Sequence, residues 1–508
     1  MKKILALVLA LMMLSGVAAI AEGEYADPVK FSYSFLYMDS ATDYHAEALY
    51  QYIAETYNVD IEYIYKATGE DATVTRAWLY GDNMPDVVTW HSQTQAELVE
   101  LAEQGLIAPL PEGWEERYPN LYRMVKLTGL YDLEKVDGVN YCIPHAVFAN
   151  FLSPDPVVPD QGVLQYRKDW ATKLGFDFAE RKVITVSELK AFLEKCIAED
   201  MAGNGATIGL SGPLTGVYTY LSKAEGGIRT TGFSRDEEAQ EYVFNPIAKF
   251  DGIVKTIGQV REWYKAGLID ADAYSLTEIQ GVTKMASGLA AAVFGAGHVD
   301  GYIERSKIFA NANPNENYLD VIGQILVCND DGTLYELAGT NYYSWTIFNP
   351  NIEPEVMERV LAIADFFSTK EGEIYCNAGV KGVDWDYDEN GEIVGGVLHP
   401  SSMGWYFLSI VSDDFGFANP AKPAEFRARA LELTNLKMEK AVFTPYPEEY
   451  NHYTSELKNE FSFPATEKIV ELIMGDMDIA EAWQAHIDEY QHIIDPLLEE
   501  LNEVFFNK

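Results

Sequence analysis

The spacing of apolar and polar residues predicts alternating strands and helices in the first part of the chain. Apolar and polar positions alternate over residues 29–37 and 59–65, which is typical of strands, and apolar residues recur every three or four positions over 44–56, which is typical of a helix. The β-branched run Val87–Trp90 predicts a short buried strand, and residues 93–104 predict a helix. This order predicts an open parallel sheet with right-handed crossovers.

Four residues of this segment follow predicted strands and would meet at one edge of the sheet. Asp39 and Ser40 come after the first strand, and Trp90 and His91 come where a later strand ends. In open α/β sheets ligands bind at the edge where strands end, because free backbone donors line that crevice. Trp90 therefore has two interpretations, a ligand-facing ring at this edge or a core side chain.

Further elements follow in the second half of the chain. Asp169 is placed to cap a helix that starts at the next residue, and Thr185 and Glu188 have the spacing of a capping box. Near the C-terminus one apolar stripe runs through residues 479–498 and predicts a long helix with a kink at Pro496.

The balance of charges excludes several classes of partner. The 508 residues include 79 acidic and 37 basic side chains, which gives a formal net charge of −42. Nucleic acids and anionic membrane surfaces bind proteins through clustered Lys and Arg, and no such cluster interrupts this acidic chain. We therefore expect no nucleic-acid partner, and polyanionic ligands are disfavoured.

Residues 1–21 have the pattern of a secretory signal peptide. A basic start, a short apolar run and the small residues Ala19 and Ala21 predict cleavage after Ala21. Residues 14–16 resemble the start of a lipobox, but Val17 stands where the modified Cys would be, so we expect an exported protein without a lipid anchor. The four cysteines are widely spaced, which fits neither a disulfide framework nor a zinc site.

Motifs for metal binding and catalysis are weak in this sequence. The acidic run at residues 384–392 invites a calcium interpretation, but it lacks the Gly and Glu positions of an EF-hand loop, and Asn390 with Gly391 favours a type I′ hairpin turn. No motif of a zinc peptidase, serine hydrolase, P-loop or dinucleotide site is present. We predict no metal and no cofactor. A secreted carbohydrate-active hydrolase that uses paired carboxylates stays open as the alternative, because such a pair has no fixed sequence spacing.

Several segments, in order along the chain, resemble one protein family. The sequences GDNMPDVVTW at 81–90, GLIAPL at 105–110, RKDW at 167–170 and AGLID at 266–270 are similar to segments of family 1 extracellular solute-binding proteins. This carbohydrate-type family includes maltodextrin-binding proteins and lipoprotein LipO-like proteins. The resemblance covers nearly all of the mature chain. It implies an α/β, two-lobed periplasmic binding protein-like fold of type II, in which each lobe is an open sheet flanked by helices, with a helical C-terminal region.

The resemblance also implies a function without catalysis. Lobe one would comprise residues 28–145 and 341–400, and lobe two 146–340 and 401–508. The lobes would close on a carbohydrate, which the large chain and its long inserts favour as an oligosaccharide, and the protein would act as a monomer that delivers it to the permease subunits of an ABC importer. The residues expected to line the cleft are Asp39, Ser40, Trp90, His91, His145, Arg167, His298, Trp345, Trp385 and Trp405.

Within this set the residues have different expected roles. Trp90 would stack on the apolar face of a sugar ring, since flat aromatic faces suit pyranose C–H surfaces. Asp39 and His91 of lobe one, together with lobe-two residues near Arg167 and His298, would hold sugar hydroxyls. For Arg167 an ion pair with one of the many acids is the alternative.

Overall fold

The chain folds into two compact units. The computed structural model describes residues 25–36, 38–67, 70–91, 95–148, 157–398, 411–413 and 419–508. The first unit consists of the described residues up to Val158 together with those of Thr340–Ala424, and the second consists of Pro159–Gly339 together with Glu425–Lys508. By this division the described residues of 146–158 and 411–424 belong to the first unit, whereas the sequence analysis assigned them to lobe two. The predicted residue boundaries of the two lobes and their closure on a ligand stay predictions.

The strands of the described chain are short, and most belong to one of two larger sheets. In chain order they are β1 (Val29–Ser34), β2 (Val59–Tyr63), β3 (Val87–Trp90), β4 (Lys135–Val136), β5 (Val139–Asn140), β6 (Cys142–Phe148), β7 (Val158–Pro159), β8 (Gly162–Arg167), β9 (Val183–Thr185), β10 (Ile208–Ser211), β11 (Phe233–Asp236), β12 (Glu241–Phe244), β13 (Ala290–Ala296), β14 (Ile322–Cys328), β15 (Tyr335–Gly339), β16 (Tyr342–Phe348), β17 (Trp385–Tyr387), β18 (Ile393–Gly395), β19 (Val411–Asp413) and β20 (Val442–Thr444).

Helices flank these sheets, and none of the described helices is both long and apolar enough to cross a membrane. In chain order they are α1 (Ala48–Tyr57), α2 (Asp71–Tyr80), α3 (Gln95–Glu103), α4 (Trp114–Arg117), α5 (Pro119–Leu127), α6 (Lys168–Leu174), α7 (Val186–Ala198), α8 (Leu214–Gly226), α9 (Asn245–Ala248), α10 (Phe250–Lys265), α11 (Glu278–Ala286), α12 (Val299–Ala312), α13 (Tyr318–Val321), α14 (Pro354–Phe367), α15 (Lys370–Ala378), α16 (Ala424–Lys440), α17 (Glu448–His452), α18 (Glu456–Glu460), α19 (Ala465–Met474) and α20 (Ile479–Phe506).

The sheet of the first unit has six strands in the order β19-β6-β16-β3-β1-β2. β1 pairs in parallel with β2 and β3, and β19 pairs in parallel with β6, whereas β16 runs antiparallel to β3 and β6. Because β1, β3 and β6 run in one direction, they end at the same edge, and β16 begins there. We call this edge the carboxyl edge of the first unit. The strand predicted at residues 87–90 is confirmed, and those predicted at 29–37 and 59–65 form but end earlier, at Ser34 and Tyr63. The helix predicted at 44–56 begins at Ala48, after a short 3-10 helix at Tyr44–Ala46.

The sheet of the second unit has five strands in the order β10-β13-β8-β14-β9. β13 and β14 both run antiparallel to β8, so they end at the edge where β8 begins. The predicted capping box is confirmed at the start of α7, where the Glu188 backbone N–H donates to Thr185 Oγ1 and the Thr185 N–H donates to the Glu188 carboxylate. The long C-terminal helix with Pro496 inside it is also confirmed, and its apolar stripe packs into the core of this unit.

Two local predictions are wrong for identifiable reasons. Asp169 does not cap a helix, because α6 already begins at Lys168 and the Asp169 carboxylate accepts a hydrogen bond from the Arg167 guanidinium. The hairpin around Gly391 forms from β17 and β18, but its turn is not type I′. A type I′ turn needs two consecutive residues with positive φ, and here only Gly391 of the predicted pair has one, at 82°. Asp388 instead organises a longer loop by accepting the N–H groups of Asn390 and Glu392.

Candidate functional site

A β-bulge shapes the carboxyl edge of the first unit. In the pairing of β16 with β6, Tyr342 lies opposite Ala146 and Trp345 lies opposite Pro144. Tyr343 and Ser344 therefore share the place opposite one residue, His145. Such a bulge breaks the alternation of side chains along a strand and re-aims the residue beside it.

The bulge brings three aromatic rings together at this edge. The Tyr343 ring centroid lies 4.8 Å from that of His91, which follows β3, and 6.5 Å from that of His145 on β6. Tyr343 and His91 are half-buried, whereas His145 is buried. We call these three residues the edge cluster. Flat rings with polar rims are the groups that suit the C–H faces and hydroxyls of a sugar.

Burial sets the charge state of one member of the edge cluster. Desolvation lowers the pKa of His145 to about 4, so its imidazole is neutral at pH 7. The His145 Nδ1 lies 3.4 Å from Ser344 Oγ, the neighbour of Tyr343 in the bulge. A neutral imidazole in this position has one donor and one acceptor nitrogen, and it adds no positive charge to the edge.

An ion pair between the buried Lys66 and the half-buried Asp71 contacts the backbone of His91. The Lys66 ammonium is 2.5 Å from Asp71 Oδ1 and donates to the Thr89 carbonyl at 2.7 Å, while Asp71 Oδ2 accepts the His91 backbone N–H at 3.1 Å. Burial lowers the pKa of Lys66, and the charge of Asp71 opposes that shift. These contacts fix the backbone of Thr89 and His91 at the end of β3. Sequence reasoning missed this pair, although Asp71 in the first turn of a helix was a recognisable signal.

Asp39 and Ser40 lie in the exposed loop after β1. Asp39 uses its carboxylate within that loop, where Oδ1 accepts the Ala41 N–H at 2.9 Å and Oδ2 accepts the Thr42 hydroxyl at 3.1 Å. The loop conformation is therefore set by Asp39, and Ser40 at its tip is accessible to solvent.

The predicted tryptophans that the structure describes are all core side chains. Trp90 and Trp345 lie opposite each other in the β3–β16 pairing and belong to one apolar cluster, and Trp90 is 0 % exposed. The Trp345 indole N–H donates to the buried carboxylate of Glu134. Trp385 is also buried and donates to the Gly379 carbonyl at 2.5 Å. This packing favours the core interpretation of Trp90, while the ligand contacts predicted for the three rings stay predictions. Trp405 lies outside the described residues.

Arg167 and His298 lie at opposite edges of the second unit's sheet. Arg167 ends β8, whereas His298 follows β13, which is antiparallel to β8. The Arg167 guanidinium binds Asp169 through two hydrogen bonds of 2.8 and 2.5 Å and lies 4.8 Å from the centroid of the Trp170 ring. His298 is the N-cap of α12, and its Nδ1 accepts the Gly301 N–H at 3.2 Å. The structure therefore does not bring these two predicted ligand residues together, and Arg167 has the ion pair that the alternative expected.

The described residues contain no group of three or more His, Cys, Asp and Glu side chains that could hold a metal ion. Cys142, Cys196, Cys328 and Cys376 are buried free thiols, and burial raises the pKa of the Cys196 thiol to about 12. Such thiols are inert at neutral pH, because the thiolate is the reactive form.

Comparison with known proteins supports the fold. No family model and no curated protein matches the sequence. Among solved structures, the chain is similar to the alginate-binding protein AlgQ2, with 17% identity, a TM-score of 0.64 and coverage of 94% of this chain and 98% of that one. It is similar to the ABC-transporter substrate-binding protein FusA of S. pneumoniae in complex with kestose, with 15% identity, a TM-score of 0.64 and coverage of 94% and 99%.

A third similar structure is an extracellular solute-binding protein from Bifidobacterium longum subsp. infantis, with 13% identity, a TM-score of 0.65 and coverage of 95% and 99%. At such low identities the likeness shows the fold alone. The prediction of a two-lobed, type II binding-protein fold with an open sheet flanked by helices in each lobe is thereby confirmed.

Proposed function

We propose that this protein is the extracytoplasmic substrate-binding protein of an ABC importer and that it binds an oligosaccharide. The observation that carries the proposal is the likeness of some 94% of the chain to solved structures whose names include an alginate-binding protein and a kestose complex. The ordered segments that resemble family 1 solute-binding proteins support it independently. The same likeness disfavours the secreted hydrolase, since the similar structures are named as binding proteins and not as enzymes.

The edge cluster is the part of the first unit best suited to hold a sugar. Tyr343 would stack on a pyranose face, and His91 beside it would exchange hydrogen bonds with hydroxyls. Asp39 and Ser40 from the loop after β1 and His298 from the second unit would complete the set. The net charge of −42 favours a neutral sugar over a polyanionic one.

To deliver a sugar to a permease, the protein would have to be exported and its two lobes would have to close on the sugar. The signal peptide at residues 1–21 would direct export, and Val17 in the lipobox position would leave the mature chain without a lipid anchor. Two lobes would close on the sugar by hinge motion. Lobe one would comprise residues 28–145 and 341–400, and lobe two residues 146–340 and 401–508. We expect the binding protein to act as a monomer that performs no chemistry on its ligand.

Thermal melting of residues 22–508 against defined ligands tests this function. The ligands are kestose, maltotriose, chitobiose, an alginate trisaccharide, amino acids, peptides and calcium. A ligand at 100 times its dissociation constant should stabilise the protein by about 2.7 kcal/mol. A shift with one sugar that is recovered chemically unchanged supports the binding protein, and a shift followed by cleavage of the sugar would make the protein a hydrolase. No shift with any sugar would contradict the proposal.

The residue-level proposal is tested with a matched pair of tyrosine variants. Tyr343→Ala should weaken binding of the stabilising sugar by about 1–3 kcal/mol, as expected for an aromatic contact at the centre of a site. Tyr274→Ala removes a ring that is 59% exposed in the second unit and should leave the affinity unchanged. Equal affinity of both variants, measured by calorimetry, would remove Tyr343 from the site.

A further inference from the structure

Four charged side chains form an ion-pair cluster in the second unit, and three of them are buried. The Lys223 ammonium lies 2.9 Å from Asp160 Oδ1 and 3.2 Å from Glu336 Oε2, and the Lys437 ammonium lies 3.3 Å from Glu336 Oε1. The exposed fractions are 7% for Lys223, 1% for Glu336 and 3% for Lys437. The Asp160 side chain is 41% exposed, so the cluster opens to solvent on that side. The two positive and two negative charges balance, which is the condition under which buried charges are tolerated.

Electrostatics within the cluster favours the charged forms of Asp160 and Lys223, whereas burial lowers the pKa of Lys437 and Glu336 opposes that shift. Burial alone would raise the pKa of Asp160, but Lys223 and Lys437 outweigh it and hold that pKa well below its ordinary value. Burial alone would lower the pKa of Lys223, but Asp160 and Glu336 outweigh it and raise that pKa above its ordinary value. Each charge therefore depends on the others, and removing one leaves an unbalanced charge in the interior.

Three members of the cluster lie near the points where the chain passes between the two units. The chain passes between the two units after Val158, after Gly339 and after Ala424. Asp160 stands just after the first crossing, Glu336 is in β15, which ends at the second crossing, and Lys437 is in α16, which begins at the third. All three crossing segments thus contribute a charge, and Lys223 of α8 supplies the fourth from the body of the second unit.

Hydrogen bonds to backbone carbonyl oxygens join the same segments. Lys437 donates to the carbonyl oxygens of Asp160 and Gly162, the latter at 2.9 Å. The Asp160 N–H donates to the Leu337 carbonyl at 3.2 Å, so the first and second crossing segments run side by side. β15 also pairs with β20, which follows α16. The cluster is therefore the point at which the three segments are tied to one another and to α8.

We propose that the ion-pair cluster anchors all three crossing segments to the second unit, so that on the first two segments hinge motion is confined to residues on the first-unit side of Asp160 and Glu336. The idea of a hinge motion rests on the proposed function, whereas the anchoring itself is a property of the second unit. Glu336 is the central member, since it alone pairs with both lysines.

Hydrogen exchange of residues 22–508, measured by mass spectrometry, tests the anchoring without any ligand. In Glu336→Gln one carboxylate is lost and the two lysines repel each other. Amides of the three crossing segments should then exchange faster by about tenfold or more, because the local opening that exposes them becomes easier. Amides of α10, in the core of the same unit, should exchange less than about twofold faster.

A matched control separates anchoring from a general loss of stability. Glu262→Gln breaks an exposed ion pair of the same unit, in which Glu262 lies 2.6 Å from the Lys190 ammonium, and should leave exchange in the crossing segments unchanged. If Glu336→Gln does not fold, the charge-balanced double variant Lys223→Met, Glu336→Gln replaces it, with the same expectation.

Two results would overturn the anchoring proposal. One is unchanged exchange in the crossing segments of Glu336→Gln, and the other is an equal rise throughout the second unit, which would make the cluster an ordinary part of its core. These outcomes are distinct from those of the ligand screen. If no sugar binds but the crossing segments alone lose protection, the anchoring stands and the proposed function fails.

Discussion

Replacing Trp90 with Ala decides between the two interpretations of this residue. Its side chain is 0 % exposed and packs with Trp345 and Ile347 in the core of the first unit. A buried Trp removes roughly 150–250 Å² from water, which at about 25 cal/mol per Å² corresponds to about 4–6 kcal/mol. Measured Trp→Ala changes in cores cost about 3–5 kcal/mol, so we expect a loss of about that size in the unfolding free energy of the first unit.

The conservative variant Trp90→Phe sharpens the test. The Trp90 Nε1 is buried and has no hydrogen-bond partner among the described residues, so Phe removes an unsatisfied donor while it keeps much of the apolar volume. We expect Trp90→Phe to cost less than about 1.5 kcal/mol. The Arg76 guanidinium, 5.6 Å from the centroid of the Trp90 ring, is partly exposed and pairs with Glu97, so it should add little to the difference.

The assay has to report on each unit separately, because two units need not unfold in one step. Hydrogen exchange at increasing urea, read from peptides of each unit, gives a separate midpoint for each. Trp263→Ala is the matched control, since this Trp is 1% exposed in the core of the second unit and should lower only that unit's midpoint. If Trp90→Ala keeps the first unit within about 1 kcal/mol of the wild type and instead weakens sugar binding, the core interpretation is wrong and the stacking role is right.

Three further predictions concern stability. The folded-state pKa of His145, about 4, lies below the ordinary value of 6.5, so the unfolded chain binds the extra proton first and stability is lost as the pH falls from about 6.5 to about 4. The total loss of unfolding free energy over this pH range is about 3 kcal/mol. In His145→Gln the unfolding free energy should depend less on pH between these two values. Thr185→Ala removes the cap of α7 and should cost about 1 kcal/mol, whereas Thr185→Ser should restore it in the same denaturation experiment. Glu134→Ala leaves the buried Trp345 N–H without its acceptor and should cost about 1–3 kcal/mol by thermal melting, and a melting temperature equal to that of the wild type would show that another acceptor takes its place.

Elements that depend on local sequence were predictable. The strands at β1, β2 and β3 follow from alternation and β-branched runs, and the α7 capping box follows from the side chains of Thr185 and Glu188, which interact across one helical turn. The long C-terminal helix follows from its apolar stripe, which packs into the second unit as a periodic pattern predicts. In these cases the residues that decide the structure are near one another in the chain.

Strand direction was not predictable in the same way. Arg167 and His298 both follow strand-like segments, so the sequence placed them at one ligand edge. Their strands, β8 and β13, are antiparallel neighbours, which puts the two ends at opposite edges. Direction within a sheet depends on pairing between segments more than a hundred residues apart, and nothing in the local pattern of either strand encodes it.

Trp90 and Tyr343 show that packing decides which aromatic side chain at a strand end is exposed to a ligand. The run Val87–Trp90 is a central strand between β1 and β16, and all four of its residues are buried. The Trp at its end lies opposite Trp345 of the antiparallel neighbour, and both rings belong to one apolar cluster. The aromatic surface at the edge then comes from the next residue, His91, and from Tyr343, which the bulge opposite His145 turns away from the Trp90 core. That bulge depends on the register between two strands about two hundred residues apart, so the sequence could indicate the edge but not the ring that faces it.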